Sequence, residues 1–198
     1  MTDKFTELAF TDSVREKQKK YETRALYEKF EIEGATRNVF TPKEESFITQ
    51  RDGFYVASVG ESGWPYMQFR GGPTGFLKVL DEKVLAFADF RGNGQYISAG
   101  NIEATGKSVL LLMDYAERKR LKIWAQAAVL HAEDHPEMMA RVSLGDYKAT
   151  VERIFTFTLE AFDWNCPQHI TKRYTLDEIK QAAATDPDLR RSCCPDVS

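Results

Sequence analysis

The chain has 198 residues, of which 42% are hydrophobic and 12% aromatic, enough to bury a full core in a single domain. Its 27 basic and 30 acidic residues give a formal net charge of −3, which disfavours nucleic acid and anionic membranes as partners. The sequence contains no apolar run of the roughly 20 residues that cross a bilayer, its first residues are too charged for a secretory signal, and its three cysteines form no disulfide framework, so we expect a cytoplasmic protein.

The first 50 residues predict a helical extension. Apolar residues recur between 13 and 30 among many charges, at the spacing of a helix that covers the outside of a larger body. Residues 41–44, TPKE, have the signature of a capping box with proline at the first helical position. We therefore expect a short helix from there to about Gln50, anchored by Phe47 and Ile48.

Short apolar strands follow from Phe54. A Gly-rich turn joins residues 54–59 to residues 64–72, which predicts a β-hairpin. A second hairpin is predicted over residues 75–80 and 83–89, because only two residues separate the two strands.

The second half of the chain predicts a further strand pair. Residues 107–115 have a continuous apolar centre and predict a strand buried on both faces, followed by an alternating partner strand at 121–133. A short helix at Pro136, a last strand at 152–164 and a closing helix from Thr175 with a second capping box are also expected. Six or so antiparallel strands with helices at the edges predict a mainly β fold, a small β-barrel with flanking helices.

Residues 87–101, FADFRGNGQYISAGN, predict a strand that leads into a glycine-rich turn and then a helix. Gly92 and Gly94 allow the backbone to come close to a ligand. The first N–H groups of a helix carry the positive end of its dipole, so an anion would be held against Asn93, Gly94 and Gln95. From this segment alone, a plain connecting turn remains the alternative.

Polar side chains mark the end of one predicted strand. Gln68 and Arg70 lie in the segment QFRGGP, and Arg70 directly precedes Gly71. Its guanidinium is placed for a bidentate contact with phosphate or carboxylate, and an exposed ion pair is the alternative.

A second polar group follows the last predicted strand. Trp164, Gln168 and His169 offer an aromatic wall, an amide and an imidazole, and a structural corner closed by Pro167 is the alternative. The segment from His131 to His135 also carries two imidazoles and two carboxylates. It leaves a strand and does not place both histidines on one helical face, so we expect no metal site.

Four segments, in this order and spacing, resemble the pyridoxamine 5′-phosphate oxidase-like flavoproteins with the FMN-binding split barrel. They are QFRGGPTGF at 68–76, FADFRGNGQYISAGNI at 87–102, MDYAERKRLKIWAQAAV at 113–129 and WNCPQHI at 164–170. The resemblance covers roughly residues 42–174. It implies a split barrel, FMN as cofactor, a small-molecule substrate and a homodimer with two FMN sites at its interface.

The resemblance also implies roles for individual residues. In that family the strand–turn–helix segment holds the flavin phosphate and ribityl chain, which implies these roles for Phe87, Ala88, Asp89, Gly92, Asn93 and Gln95. The tryptophan and arginine that reach the flavin from the second subunit would be Trp164 and Arg173.

Two departures separate the chain from the true vitamin oxidases. Those enzymes have Ser-Arg-Lys in the cradle where this chain has Gly92-Asn93-Gly94, so backbone amides, Arg70 or Arg91 would have to supply the phosphate contacts. Their substrate cluster Arg-Leu-His-Asp-Arg is replaced here by residues 169–173, HITKR. The sequence therefore predicts a divergent FMN-dependent oxidoreductase of unidentified substrate. A non-catalytic flavin- or haem-binding carrier or sensor, and a deazaflavin-dependent reductase, are the alternatives.

Overall fold

A computed structural model describes residues 3–33, 37–145, 147–164 and 167–185. All three cysteines, Cys166, Cys193 and Cys194, lie outside the described residues. The described ranges form seven helices: α1 (Lys4–Ala9), α2 (Asp12–Lys20), α3 (Arg24–Glu33), α4 (Pro42–Thr49), α5 (Ile97–Thr105), α6 (Pro136–Val142) and α7 (Leu176–Thr185). They also form seven strands: β1 (Gly53–Val59), β2 (Pro65–Gly71), β3 (Lys78–Val79), β4 (Val84–Phe90), β5 (Lys107–Asp114), β6 (Lys119–His131) and β7 (Val151–Trp164).

The prediction of one helix over residues 13–30 is wrong, because the segment forms α2 and α3 with a break between them. Glu22 adopts a left-handed conformation with φ 58°, which no helix interior tolerates. The N–H of Thr23 donates to the Gln18 carbonyl at 2.9 Å and closes the end of α2. The apolar spacing therefore marked helical residues correctly but did not reveal the turn.

The short helix predicted after Thr41 is confirmed as α4. The Thr41 hydroxyl accepts from the Lys43 N–H at 3.3 Å, and the Thr41 N–H donates to the Glu44 carboxylate at 3.1 Å, which completes the capping box. Phe47 and Ile48 anchor the helix in the core at 8% and 0% exposure.

The strands form one antiparallel sheet in the order β2-β1-β5-β6-β7-β4-β3. Both predicted hairpins are present, since β1 pairs with β2 and β3 with β4, although β3 is only two residues long. The sheet curls, because three strands separate Phe54 on β1 from Phe87 on β4 in this order and yet their ring centroids lie 5.5 Å apart. The mainly β split-barrel fold with flanking helices is therefore confirmed.

The expectation that the strand at 107–115 is buried on both faces is wrong. Along β5 the buried residues Ser108, Leu110 and Leu112 face the barrel core, while Val109 and Leu111 on the other face are only partly covered. The alternation arises because the second face of the sheet meets few covering elements within the described chain. The apolar run predicted burial on both faces because the outward-facing residues Val109 and Leu111 are apolar as well.

An ion cluster attaches α1 to the barrel. The Arg37 guanidinium contacts the carboxylate of Asp3 at 2.8 Å and that of Asp163 at 2.7 Å. Asp3 is fully buried and caps α1, while Asp163 lies near the end of β7. Burial raises the pKa of Asp163, and the neighbouring charges of Arg37 and Lys122 oppose that rise.

Candidate functional site: a polar pocket at the start of α5

A small cavity opens where β2, the end of β4, the start of β7 and the first turn of α5 meet. We call it the α5 pocket. Its volume is about 50 Å³. Sites for whole drug-sized ligands typically measure about 300–1,000 Å³, so this cavity suits a group the size of a phosphate. It is lined by Tyr66, Gln68, Arg70, Asp89, Phe90, Gly92, Asn93, Gly94, Gln95, Tyr96, Ile97, Ser98, Ala99, Glu152 and Arg153.

Helix α5 begins at Ile97, beyond residues 93–95, whose N–H groups were expected to open the helix. The first bond of the helix runs from the Gly100 N–H to the Tyr96 carbonyl at 2.9 Å, which leaves the N–H groups of residues 97–99 without a carbonyl partner inside the helix. The expectation that residues 93–95 supply the helix N-terminus is therefore wrong. Asn93 instead shapes the preceding turn, because its side-chain oxygen accepts from the Gln95 N–H at 3.1 Å.

Two residues of this turn have positive φ angles. Gly94 has φ 75°, which glycine adopts freely, and Tyr96 has φ 54° and ψ 19°, which costs a non-glycine residue free energy. A Cβ built at Gly92 or Gly94 would meet no heavy atom within 4 Å. The turn is therefore open toward the outside, with room for a ligand against its backbone.

Arg70 and Asp89 face each other across the pocket from β2 and β4. The Arg70 guanidinium contacts Asp89 Oδ1 at 2.8 Å. Arg70 Nε is buried without a hydrogen-bond acceptor among the described residues. Burial raises the pKa of Asp89, and the charges of Arg70 and Arg153 oppose that rise. Arg70 therefore lies at the site as predicted, but its guanidinium is bound by Asp89, which was also predicted as a cofactor-binding residue.

Gln68 joins β2 to the first turn of α5. The Ser98 hydroxyl donates to Gln68 Oε1 at 2.9 Å. Because the amide oxygen is used in this contact, the amide nitrogen of Gln68 can donate to a ligand acceptor in the pocket. Six of the thirteen residues predicted for the cofactor site line this single cavity: Gln68, Arg70, Asp89, Gly92, Asn93 and Gln95.

Three further predicted residues lie beside or beneath the pocket. Phe87 is buried in the barrel core at 3% exposure, whereas Ala88 is buried at 2% exposure in a separate cluster with Val142 of α6. Strand β3 pairs with β4 only as far as Ala86, so beyond that point this edge of β4 has no strand partner within the described chain. Gly71 ends β2, where a Cβ would come within 2.9 Å of the Phe69 ring, so it serves ring packing.

The four residues predicted from the end of β7 lie away from the α5 pocket of their own chain. Trp164 Nε1 donates to Glu44 Oε1 at 2.7 Å, which attaches the end of β7 to α4. The Arg173 guanidinium lies over the Tyr115 ring at 5.1 Å. Gln168 and His169 lie in the exposed turn that follows, where His169 has φ 62°.

Sequence reasoning missed several residues of the pocket, chief among them Arg153. The antiparallel register places Arg153 on β7 directly opposite Asp89 on β4. Its Nε lies 3.4 Å from Asp89 Oδ2, and its guanidinium lies over the Tyr96 ring at 4.5 Å. The signal in the sequence is a pair of charged neighbours, Glu152 and Arg153, at the start of the strand, and it does not reveal the partner strand.

The described residues also bear on two other functions. They contain no group of three or more His, Cys, Asp or Glu side chains placed to hold a metal ion. In the described part of the chain, every helix is too short or too polar to cross a membrane.

The fold and the pocket define a class of protein, a mainly β split barrel with a small polar cavity at the start of a helix. A family model described as pyridoxamine 5′-phosphate oxidase matches residues 40–163, more than half of the chain. The chain therefore belongs to the pyridoxamine 5′-phosphate oxidase family. No curated protein matches the sequence.

Three solved structures that are similar to this chain have 16–19% sequence identity to it. HupZ of Group A Streptococcus is 16% identical, with a TM-score of 0.50, and the match covers 68% of this chain and 99% of that chain. A structure described as a putative pyridoxamine 5′-phosphate oxidase from Lactobacillus delbrueckii is 19% identical, with a TM-score of 0.49 and coverage of 64% and 94%. An FMN-binding protein from Syntrophomonas wolfei is 18% identical, with a TM-score of 0.46 and coverage of 78% and 96%. At this identity, the HupZ match shows a shared fold.

Proposed function

We propose that this protein is an FMN-binding flavoprotein and an oxidoreductase for a small molecule, with the phosphate of FMN in the α5 pocket. The observation that carries the proposal is the meeting of Arg70, the open glycine turn and the first N–H groups of α5 in one cavity. Helix N-termini and guanidinium groups both bind phosphate in proteins, the first through free N–H groups and the helix dipole, the second through charged N–H donors. Family membership supports the same cofactor.

The residues present fit the phosphate end of FMN. Arg70 Nε is a buried donor without an acceptor among the described residues, and a phosphate oxygen would supply one. The N–H groups of residues 97–99 and the amide nitrogen of Gln68 are further donors among the lining residues. The cavity of about 50 Å³ has no room for the tricyclic flavin ring, which would lie outside it along the open edge of β4.

FMN, when bound, supplies the redox chemistry by accepting and passing on a hydride or electrons. The protein would hold the phosphate, orient the ring and offer hydrogen-bond donors to the ring edge. Along residues 87–89, β4 pairs with β7 on one edge and has no strand partner on the other within the described chain, so backbone N–H groups on that second edge are candidates for the contact. Asp89 would hold Arg70 in place, since its carboxylate already binds the guanidinium.

We further propose a homodimer in which Trp164, Gln168, His169 and Arg173 face the flavin bound by the partner. None of these residues lines the α5 pocket of its own chain, which favours contact with the flavin held by another chain. The edge strand β2 also presents an exposed apolar strip, with Trp64 just before it at 78% exposure and Met67 and Phe69 on it at 65% and 57%. Contiguous exposed apolar patches of this kind typically mark protein–protein interfaces.

The cofactor is tested by the absorption spectrum of the purified protein and by chemical identification of the extracted chromophore. A yellow protein that releases FMN and bleaches reversibly with dithionite supports the proposal. A colourless protein whose melting temperature rises with a deazaflavin and not with FMN would favour a deazaflavin-dependent reductase, and one that takes up haem with a sharp Soret band would favour a haem carrier or sensor. Reduction of bound FMN by NADH, NADPH or pyridoxamine phosphate, followed by reoxidation in air, separates an enzyme from a carrier.

The pocket is tested by Arg70→Ala. Loss of a charge-assisted hydrogen bond of about 1.5–3 kcal/mol weakens FMN binding by about 10- to 150-fold. The matched control is Arg15→Ala, which removes an arginine paired with Glu31 at 3.3 Å in the N-terminal helices and should leave FMN affinity unchanged. Equal affinity of the wild type and Arg70→Ala would assign Arg70 to structure alone.

The dimer is tested by Met67→Asp, with molar mass measured by light scattering. A charge on the apolar strip should convert the dimer to a monomer, because burying an unpaired carboxylate is costly. Leu26→Asp on α3 is the matched control, since Leu26 is exposed to almost the same extent, 67%. A monomeric wild-type protein would overturn this part of the proposal.

A further inference from the structure

We infer that Arg153 is a second phosphate-binding residue of the α5 pocket and that Asp89 positions it beside Arg70. The inference rests on the proposed function, because it names a ligand of the phosphate that this function places in the pocket. Arg153 lies about 60 positions after the glycine turn, on β7, and none of the four sequence motifs includes it.

The geometry places one carboxylate between two guanidinium groups. Asp89 Oδ1 contacts Arg70 at 2.8 Å, and Asp89 Oδ2 lies 3.4 Å from Arg153 Nε. Asp89 is 5% exposed, and the side chains of Arg70 and Arg153 are 18% and 14% exposed. Both arginines line the α5 pocket, and the buried Asp89 carboxylate holds both guanidinium groups in place there.

Arg153 is also held from its other side. Its guanidinium lies over the Tyr96 ring at 4.5 Å and forms an ion pair with the neighbouring Glu152. A long side chain that is already fixed loses little conformational freedom when a ligand arrives. A guanidinium has five N–H donors, so contacts through Nε and one terminal nitrogen leave donors for a phosphate oxygen.

The charged side chains that line the pocket balance one another. The guanidinium groups of Arg70 and Arg153 face the carboxylates of Asp89 and Glu152, so the lining has no formal net charge. Residues 92–94 of the turn carry no charge either, so an anion would rely on the N–H donors of the two guanidinium groups and of the backbone. Arg91 is not among the lining residues: its side chain is 73% exposed and lies 3.8 Å from Glu152, whereas that of Arg153 is 14% exposed.

A purely structural role for Arg153 makes a different prediction. In that case Arg153 would only support Tyr96, the left-handed residue that opens α5, and its loss would disturb every ligand of the site alike. Comparing FMN with riboflavin separates the two roles, since riboflavin is the same molecule without the phosphate.

The experiment measures FMN and riboflavin affinities, by flavin fluorescence quenching, for wild type, Arg153→Gln, Arg153→Lys and Arg91→Gln. We expect Arg153→Gln to weaken FMN binding by about 10- to 100-fold and to leave riboflavin binding within about twofold. Arg153→Lys, which keeps the charge, should recover part of the loss. Arg91→Gln is the matched control, because it removes the same charge next to the same Glu152 and should weaken FMN by less than about threefold.

Two outcomes would overturn the inference. Equal weakening of FMN and riboflavin would make Arg153 structural, and unchanged FMN affinity would remove it from the site. Where riboflavin binds too weakly to measure, inorganic phosphate replaces it: phosphate should raise the melting temperature of wild type and of Arg91→Gln but not of Arg153→Gln. Failure of the wild type to bind FMN would count against the proposed function, and the phosphate measurement would still decide the role of Arg153.

Discussion

Replacing Trp164 by phenylalanine removes one hydrogen bond to a buried carboxylate while keeping an aromatic ring. Trp164 Nε1 donates to Glu44 Oε1 at 2.7 Å, and Glu44 is only 3% exposed. The other carboxylate oxygen accepts from the backbone and the hydroxyl of Thr41. Glu44 therefore connects the cap of α4 to the end of β7, and Trp164→Phe removes the connection to β7.

The expected cost follows from the charge and burial of Glu44. A hydrogen bond to a charged group contributes about 1.5–3 kcal/mol to the free energy of unfolding. The smaller ring can keep the contact with Phe47, whose centroid now lies 4.7 Å from that of Trp164. For a chain of about this length, 1 kcal/mol corresponds to about 2–4 °C, so the melting temperature should fall by about 3–12 °C.

The loss should depend on pH. Burial raises the pKa of Glu44, but the hydrogen bonds from Thr41 and Trp164 outweigh burial and bring the pKa below its ordinary value. A carboxyl whose folded-state pKa is lowered contributes stability above its unfolded pKa of about 4.3, and this contribution is lost as the pH falls through the folded-state pKa. The difference between wild type and Trp164→Phe should therefore be complete at about pH 7 and shrink below about pH 4.

Urea denaturation of both proteins over this pH range measures the effect. Tyr21→Phe is the control, because Tyr21 is 67% exposed and lies outside the proposed dimer interface, so this substitution should change the free energy of unfolding by less than about 0.5 kcal/mol. A loss in Trp164→Phe no larger than in Tyr21→Phe, or a loss that stays constant down to acid pH, would refute the reasoning. If Trp164→Phe were as stable as the wild type, the bond to Glu44 would contribute nothing to stability, and the indole N–H could serve the flavin instead.

Two further substitutions test the turn and the N-terminal attachment. Gly94→Ala should cost about 1–2 kcal/mol in urea denaturation, because Gly94 has φ 75°, whereas Gly92→Ala, where φ is not positive and space is equally open, should cost less; equal losses would exclude backbone strain as the cause. Arg37→Met should cost about 3–5 kcal/mol because it leaves the fully buried Asp3 without its cation, whereas Lys119→Met, which breaks an exposed pair with an N–O distance of 3.8 Å, should cost under about 1 kcal/mol. A loss in Arg37→Met as small as in Lys119→Met would show that the cluster adds nothing to stability.

Local signals in the sequence were sufficient for the strands, the caps and half of the pocket. The capping box at Thr41 and the alternation along β6 and β7 depend on neighbouring residues, so they could be interpreted without a structure. Gln68, Arg70 and the glycine turn were found in the same way, because each belongs to a short motif at a strand end.

Two helix boundaries could not be predicted from the sequence. The break at Glu22 and the start of α5 at Ile97 both depend on a left-handed residue that is not glycine, Glu22 in one case and Tyr96 in the other. Such residues are rare and are held by contacts from elsewhere, as Tyr96 is by Arg153, so spacing along the chain does not reveal them.

The sequence alone therefore determined the mainly β barrel, its strand pairs and the turn where an anion is expected, because these follow from periodicity and from residues close together in the chain. Only the tertiary structure decided which charges meet at that turn. The curl of the sheet brings Arg70 on β2 to Asp89 on β4, and the register of β4 with β7 adds Arg153. A contact between strands far apart in sequence depends on register and closure, which no local pattern encodes.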